Sequence, residues 1–466
     1  MVFSSIVFLF IYLPVVLAVY YIVPAKWGNV WLLLVNLVFY GWGEPVYILL
    51  MLFSIALNYA AGLAVGKNRE QNRKKAKAAL VVNIVLNLAL LIFFKYYDLL
   101  AETISLIPGI YVPKLGLGLP IGISFYTFQA MSYPIDVYRG DAETQKNPLL
   151  FGTYISLFPQ LIAGPIVRYK DVADQLTYRV HSTEKFSSGV CRFTVGLGKK
   201  VLIANNIGAL WDVYAAKGAA DLTVLGSWLG IIAFTLQIYF DFSGYSDMAI
   251  GLGRMLGFEF LENFNYPYIS KSVTEFWRRW HMSLGTWFRD YVYIPLGGNR
   301  RGLKRQLLNI FIVWALTGIW HGANWTFLVW GLYYALFLII EKVFLLKTLE
   351  RAPNFLRHIY TMVIVTCGWA IFQLDSMKAV FTYFKAMFGG GQAGLYASGD
   401  LYYLASYAAV LILAAVFSTE LFKNIWNRLS PKVRSVVCPV GVAAVLFLST
   451  AYLVDSTYNP FLYFRF

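Results

Sequence analysis

Charge is scarce in this chain of 466 residues: 14% of its side chains are Asp, Glu, Lys or Arg, against roughly a quarter in soluble domains. With 59% hydrophobic and 18% aromatic residues, the composition leaves no stretch for an appended soluble domain and reads as an all-α polytopic membrane protein. Acids are rarer still, 24 against 39 bases, for a net charge of +15. Such an excess would suit nucleic acid, but the bases sit in short loops between apolar runs, with no basic face or nucleic-acid motif. They read instead as topology signals facing anionic lipid. Cysteine is nearly absent, and Cys191, Cys367 and Cys438 are too scattered for a zinc site; no metal is expected. No basic segment precedes the first apolar run, Met1 to Val23, so that run is expected to remain as a membrane helix. An internal repeat is also missing, which counts against a transporter built from inverted repeats.

What is present is apolar spans punctuated by basic loops. The densest charge run, KNREQNRKKAK at Lys67 to Lys77, has six bases against one acid, which assigns it to the cytoplasm. Counting back over three passes puts the N-terminus outside and Lys26 in an inner loop. Later inner loops are marked by Lys342, Lys347, Arg351 and Arg357, then by Lys423, Arg428, Lys432 and Arg434. The last span, Val436 to Val454, therefore runs outward, and residues 455–466 form an extracytoplasmic tail, DSTYNPFLYFRF. Both termini are expected outside the cytoplasmic membrane, with about ten full passes and two re-entrant elements besides. One re-entrant candidate is Leu149 to Pro165, which ends in FPQLIAGP and has basic residues on both sides. Irregular backbone at that depth needs cover from protein or a wet cavity.

The stretch TGIWHGANW, Thr317 to Trp325, stands out. Residues 306–320 are uncharged and a second apolar helix begins near Ala323, so His321 is placed in a turn between them. An arm of that length reaches only about 22 Å into a hydrocarbon core of about 30 Å. An ionisable side chain is thus held at membrane depth, either for function or as a histidine satisfied by a neighbouring carbonyl. Asp241 and Asp247 are acids in an apolar span; six residues apart, they point to different faces of a straight helix. They are read as capping a helix broken near Gly244 or as orienting groups lining a cavity.

Residues 262–305 form a cytoplasmic-side amphipathic region. Trp277, His281, Leu284 and Phe288 recur at intervals of four, three and four, one face of an in-plane helix, and spacing alone makes His281 a core histidine. Arg278, Arg279, Arg289, Arg300 and Arg301 fall largely off that face, where lipid phosphate or an anionic cytosolic donor would meet them.

Five ordered motifs carry a resemblance: FPQLIAGPIVRY at Phe158 to Tyr169, FDFSGYSDMAIG at Phe240 to Gly251, NFNYPY at Asn263 to Tyr268, EFWRRWHMSLGTWFRDYVYIPLGGNR at Glu275 to Arg300, and GIWHGANWTFLVWG at Gly318 to Gly331. Together they resemble the membrane-bound O-acyltransferase family, and within it the alginate O-acetyltransferase type, over most of the chain, 1–466 forming one membrane-embedded domain. The resemblance implies a ring of about a dozen membrane helices around a central cavity open to both sides. It assigns the central catalytic histidine to His321 and the histidine of the RRWHMSL motif to His281, which is expected to join the catalytic site by lining the inner approach or orienting the donor, with Trp277, Trp320, Asn324, Asp241 and Asp247 as cavity-lining candidates. Teichoic acid D-alanyl transferases share the FWxRWHMSL pattern without the IPLGGNR continuation found here at Ile294 to Arg300, which favours an acetyl over a D-alanyl donor.

The terminal FLYFRF is similar to an acyl-acceptor motif of some bacterial members, with Tyr463 in the acceptor position; an aromatic anchor at the outer interface is the other reading. The resemblance implies acetyl-CoA or another acyl thioester as donor substrate and no bound cofactor. It also implies an extracytoplasmic acyltransferase partner and a cell-envelope polysaccharide as final acceptor. A flippase of an acyl or lipid-linked carrier is the alternative from another class; it would depend on Asp241 and Asp247 rather than on His321.

Overall fold

The computed structural model describes residues 1–218, 220–455 and 461–462. Every element among the described residues is helical. Among the described residues, seven helices are long and apolar enough to cross a membrane: Ile48–Asn68, Arg73–Ser105, Val224–Met255, Trp325–Arg351, Asn354–Gln373, Ser398–Phe417 and Pro431–Asp455. The hydropathy pattern counts more passes because it includes shorter apolar helices, Phe8–Ile22, Gly28–Gly43 of 16 residues and Ile123–Arg139 of 17. Gly302–His321 has 20 residues but carries Lys304 and Arg305 in its first turn.

Two compact units divide the chain: residues 1–193 with 245–261, and residues 194–244 with 262–466. In the first unit, helices Ile48–Asn68 and Arg73–Leu91 are tied by buried amides. Asn58 donates to Asn87 Oδ1 at 3.0 Å, and its own Oδ1 accepts from Asn83 and Asn87, each at 3.1 Å. Side-chain amides of this kind hold apolar helices together where the hydrophobic effect gives no preference for helix over lipid. The stretch expected to be irregular is so: helix Pro148–Ser156 stops at Leu157, and a four-residue helix, Phe158–Leu161, follows. Residues 151–165 are buried, and at the break the Phe158 N–H donates to Asn36 Oδ1 at 3.1 Å.

In the second unit, an aromatic-rich core gathers Trp211, Phe240, Tyr268, Trp280, Phe327, Trp330, Trp369 and Phe372 from five stretches of chain. Two carboxylates tie helix starts to this core. Asp400, in the first turn of helix Ser398–Phe417, accepts from Thr223 at 2.6 Å, Tyr214 at 3.1 Å and Lys217 at 3.2 Å. Glu341 accepts from the backbone N–H groups of Val273 and Thr274, at 2.7 and 2.8 Å. These are orphan donors of helix Val273–Arg279, and a carboxylate is the favoured partner for them.

Candidate functional site

Helix Gly302–His321 ends on the histidine, and the chain turns through Gly322 into helix Trp325–Ile340, the hairpin expected from TGIWHGANW. The turn closes because Asn324 caps the second helix, its Oδ1 accepting from Thr326 N–H at 3.0 Å while its amide donates to Asp375 O at 2.8 Å. The role of Asn324 is therefore that of an N-cap. Gly322 admits the ring of Phe327, which would lie 2.1 Å from a Cβ there. His321 is buried, with Trp320, Trp330 and Phe372 edge-on to its ring at 5.0, 4.9 and 5.4 Å. An imidazole so enclosed by aromatic edges is held in one place and screened from bulk water.

The second histidine departs from the expected continuous helix. Helix Val273–Arg279 stops at Trp280, and a new helix, Met282–Phe288, begins after His281, whose backbone is left-handed at φ 45°. A non-glycine residue holds this conformation only when its surroundings impose it, and the NFNYPY segment does so. Asn263 Oδ1 receives the Ser283 backbone N–H at 3.3 Å and hydroxyl at 2.9 Å and lies 3.0 Å from His281 Nδ1. A backbone N–H can only donate, so this Asn263 atom is an oxygen and His281 Nδ1 carries the proton. Intervals of four, three and four do not register a one-residue break, so spacing alone predicts a continuous helix here. Trp277 still packs inward, against Trp314 at 4.6 Å and Tyr334 at 4.8 Å.

One indole separates the two imidazoles: Trp320 lies 5.0 Å from His321 and 6.1 Å from His281. Burial pushes His281 down to about 3, well below the 6.5 or so of a free imidazole. Between about pH 6.5 and pH 3 the unfolded chain binds a proton that the folded chain refuses, so the stability contributed is full above that window and lost as pH falls through it. Thermal unfolding followed from pH 7 to pH 4 is expected to show this acid limb. In His281→Asn, which tolerates left-handed backbone, the limb is expected to flatten.

The two intramembrane acids do not flank a broken helix. Val224–Met255 runs unbroken through Gly244, because each carboxylate is answered by a base and needs no free backbone. Asp247 pairs with Arg192 at 2.7 Å in the first unit. Asp241 pairs with Lys200 at 2.5 Å in the second, both side chains almost wholly buried. Sequence reasoning gives Lys200 no place in the site, although an apolar run follows directly on Lys199–Lys200 and leaves an ammonium at depth in need of an acid. Asn263, in the NFNYPY motif, likewise carries no local sequence signal for its hold on His281 and Ser283.

Two residues of the C-terminal stretch are also packed in this unit. Phe461 and Leu462 are buried; Leu462 N–H donates to Asp241 Oδ2 at 2.8 Å, and the Lys200 ammonium lies 4.8 Å from the Phe461 ring centre. Leu462 belongs to the same apolar core as Phe327, Trp330 and Phe372. Tyr463 lies outside the described residues. Arg278, Arg289, Arg300 and Arg301 are exposed, Arg289 beside Asp290 at 2.8 Å. Arg279 is half-buried and bound to Glu275 at 3.0 Å and to Asn265 O at 3.1 Å. It braces the loop before His281, whereas the other four present their charge outward.

Residues 140–374 match the model of MBOAT, the membrane-bound O-acyltransferase family. The chain is 44% identical over 399 residues to the probable alginate O-acetylase AlgI of Pseudomonas aeruginosa, covering 84% of this chain and 75% of that one. It is 39% identical to the protein of the same name in Pseudomonas putida over the full length of both. A peptidoglycan O-acetyltransferase of Helicobacter pylori is 32% identical over 83% of this chain and 80% of its own.

Proposed function

Since this chain belongs to the membrane-bound O-acyltransferase family and is an O-acyltransferase, we propose that it takes an acetyl group from cytosolic acetyl-CoA, holds it on Tyr463, and so supplies an extracytoplasmic partner that O-acetylates a cell-envelope polysaccharide. The observation that carries this reading is the burial of Phe461 and Leu462, the latter in the apolar core whose Trp330 and Phe372 flank His321. An aromatic anchor at the outer interface would leave them in lipid or water. The alginate and peptidoglycan acetylases among the relatives support an acetyl donor and a polysaccharide acceptor.

A phenol with a pKa of about 10 is a weak nucleophile at neutral pH. In the proposed step His321 accepts the Tyr463 hydroxyl proton as general base. The phenolic oxygen attacks the thioester carbonyl, the carbon–sulfur bond breaks, and the departing thiolate of coenzyme A takes up a proton to leave as the thiol. His281, neutral and fixed through Asn263, lines the approach. The exposed Arg278, Arg289, Arg300 and Arg301 meet the phosphates of the donor. The aromatic edges around His321 keep out water that would hydrolyse the thioester.

The test is transfer of radiolabelled acetyl from acetyl-CoA to the full-length protein in lipid vesicles. Label is expected on the C-terminal peptide of the wild type and not on that of Tyr463→Phe. Label on a polysaccharide acceptor with an unlabelled tail would overturn the tyrosine relay in favour of direct transfer. Labelled D-alanine carried from its thioester, with acetyl refused, would overturn the acetyl donor.

A further inference from the structure

The Lys200–Asp241 pair is a costly thing to build into a membrane protein. Removing two charges from water is repaid only when their geometry is good and their remaining hydrogen-bonding capacity is met. Two features of the second unit bring them together. The helix ending at Gly198 continues through a widened turn, Lys199–Ala204, the kind of helical irregularity found at functional sites. Beside it, Gly244 comes so close that a Cβ there would lie 2.8 Å from the Gly196 carbonyl oxygen. Yet the carboxylate is not spent on Lys200 alone: Oδ1 takes the ammonium and Oδ2 takes the backbone N–H of Leu462. The ammonium in turn lies over Phe461, a cation–π contact that gains strength away from water.

We propose that Lys200 and Asp241 form a latch for the chain's own C-terminal segment, gripping Phe461 and Leu462 so that the next residue, Tyr463, is presented in a single register for acyl transfer. The latch rests on the reading of Tyr463 as the acyl acceptor. Both are positioning residues. Gripping a main-chain N–H sets register independently of side-chain identity, and a slip of one residue would carry the neighbouring hydroxyl about 3.5 Å along the chain. Reacting atoms need to sit about 3 to 3.5 Å apart, and a displacement of about 1 Å is enough to cost 10²-fold in rate. A pair serving only to join two helices would have no need of an acceptor left over for the tail. The latch also fits a carrier that must reload: one hydrogen bond and one ring contact hold firmly, yet release without unfolding the core.

Asp241→Ala alone would strand a buried ammonium and unfold the site, so the informative variant is Lys200→Met combined with Asp241→Leu. It removes both charges at similar volume, a replacement that often leaves stability unchanged. Full-length wild type and this variant are compared in lipid nanodiscs. Amide hydrogen exchange is read on the C-terminal peptide containing Leu462, and the first turnover of labelled acetyl-CoA is read on Tyr463. With the melting temperature unchanged, the variant is expected to exchange at Leu462 roughly tenfold to a hundredfold faster, the worth of a hydrogen bond to a charged group. Its first-turnover rate is expected to fall by a similar factor while KM for acetyl-CoA stays put. Equal exchange in the two proteins refutes the latch, as does faster exchange with an undiminished rate. An unlabelled wild-type tail that is nonetheless protected, and is released in the variant, refutes the acceptor reading and leaves the grip on Leu462 standing.

Discussion

His321→Ala is expected to slow the first turnover from acetyl-CoA by about 10² to 10⁴, the usual contribution of a positioned general base, with donor binding unchanged. The side chain ends a helix without capping it, and its surroundings are the edges of Trp320, Trp330 and Phe372, which belong to helices that pack on one another independently of it. Removing the ring thus leaves a small, largely apolar cavity in a hairpin that remains assembled. Such a cavity lowers the melting temperature without unfolding the protein. Two readouts separate chemistry from damage. The Kd for a non-transferable acetyl-CoA analogue is expected to match wild type, because the donor's phosphates would be met at the exposed arginines. Added imidazole is expected to restore part of the lost rate by entering the vacated space, which would not happen if alanine had merely loosened the hairpin. An undiminished rate would remove His321 from the mechanism and revive transport dependent on Asp241 and Asp247.

The hairpin around His321 was legible in the sequence because its signals are local and redundant: an uncharged run, a glycine turn, an Asn cap and a second apolar run, each visible within 25 residues. The irregular FPQLIAGP stretch was legible for the same reason, since proline and glycine interrupt an otherwise apolar run. What escaped was long-range. The break at His281 is imposed by Asn263, 18 residues earlier, and no periodicity within 277–288 records it. The partner of Asp241 is 41 residues away and the tail that shares its carboxylate 221 residues away. A buried acid announces that something must answer it, but composition does not say what. Depth explains the remainder. Lys26, Lys199 and Lys200 look alike as markers of inner loops, whereas Lys26 is exposed and Lys200 is buried; only packing distinguishes a lysine that marks a boundary from one that has been drawn inside.

Gly318→Ala is expected to abolish at least 99% of activity, although it adds one methyl group at a position that contacts no substrate. Gly318 and Gly331 face each other where the two arms of the hairpin cross. A Cβ on Gly318 would lie 2.4 Å from the Phe327 carbonyl oxygen and 3.1 Å from Gly331 Cα, and one on Gly331 would lie 2.3 Å from the Trp314 carbonyl oxygen. Every one of these is a backbone atom, so no rotamer change makes room and the arms must separate by about 1 Å to restore ordinary contact distances. His321 stands three residues beyond Gly318 on the same arm and moves with it. A shift of about 1 Å at the base is worth about 10² in rate, and overpacking of this kind typically costs about 1 to 3 kcal/mol. Melting temperature should therefore drop along with activity. Gly331→Ala is expected to reproduce the effect, and the double variant to lose less than the sum of the two, because the first methyl already opens the gap that the second requires. Gly441→Ala is the control: it adds the same methyl within helix Pro431–Asp455, where no atom lies within 4 Å, and should leave rate and melting temperature at or above wild type. Near-normal activity in Gly318→Ala would mean that the hairpin can spread without displacing the base, and that the close crossing serves stability alone.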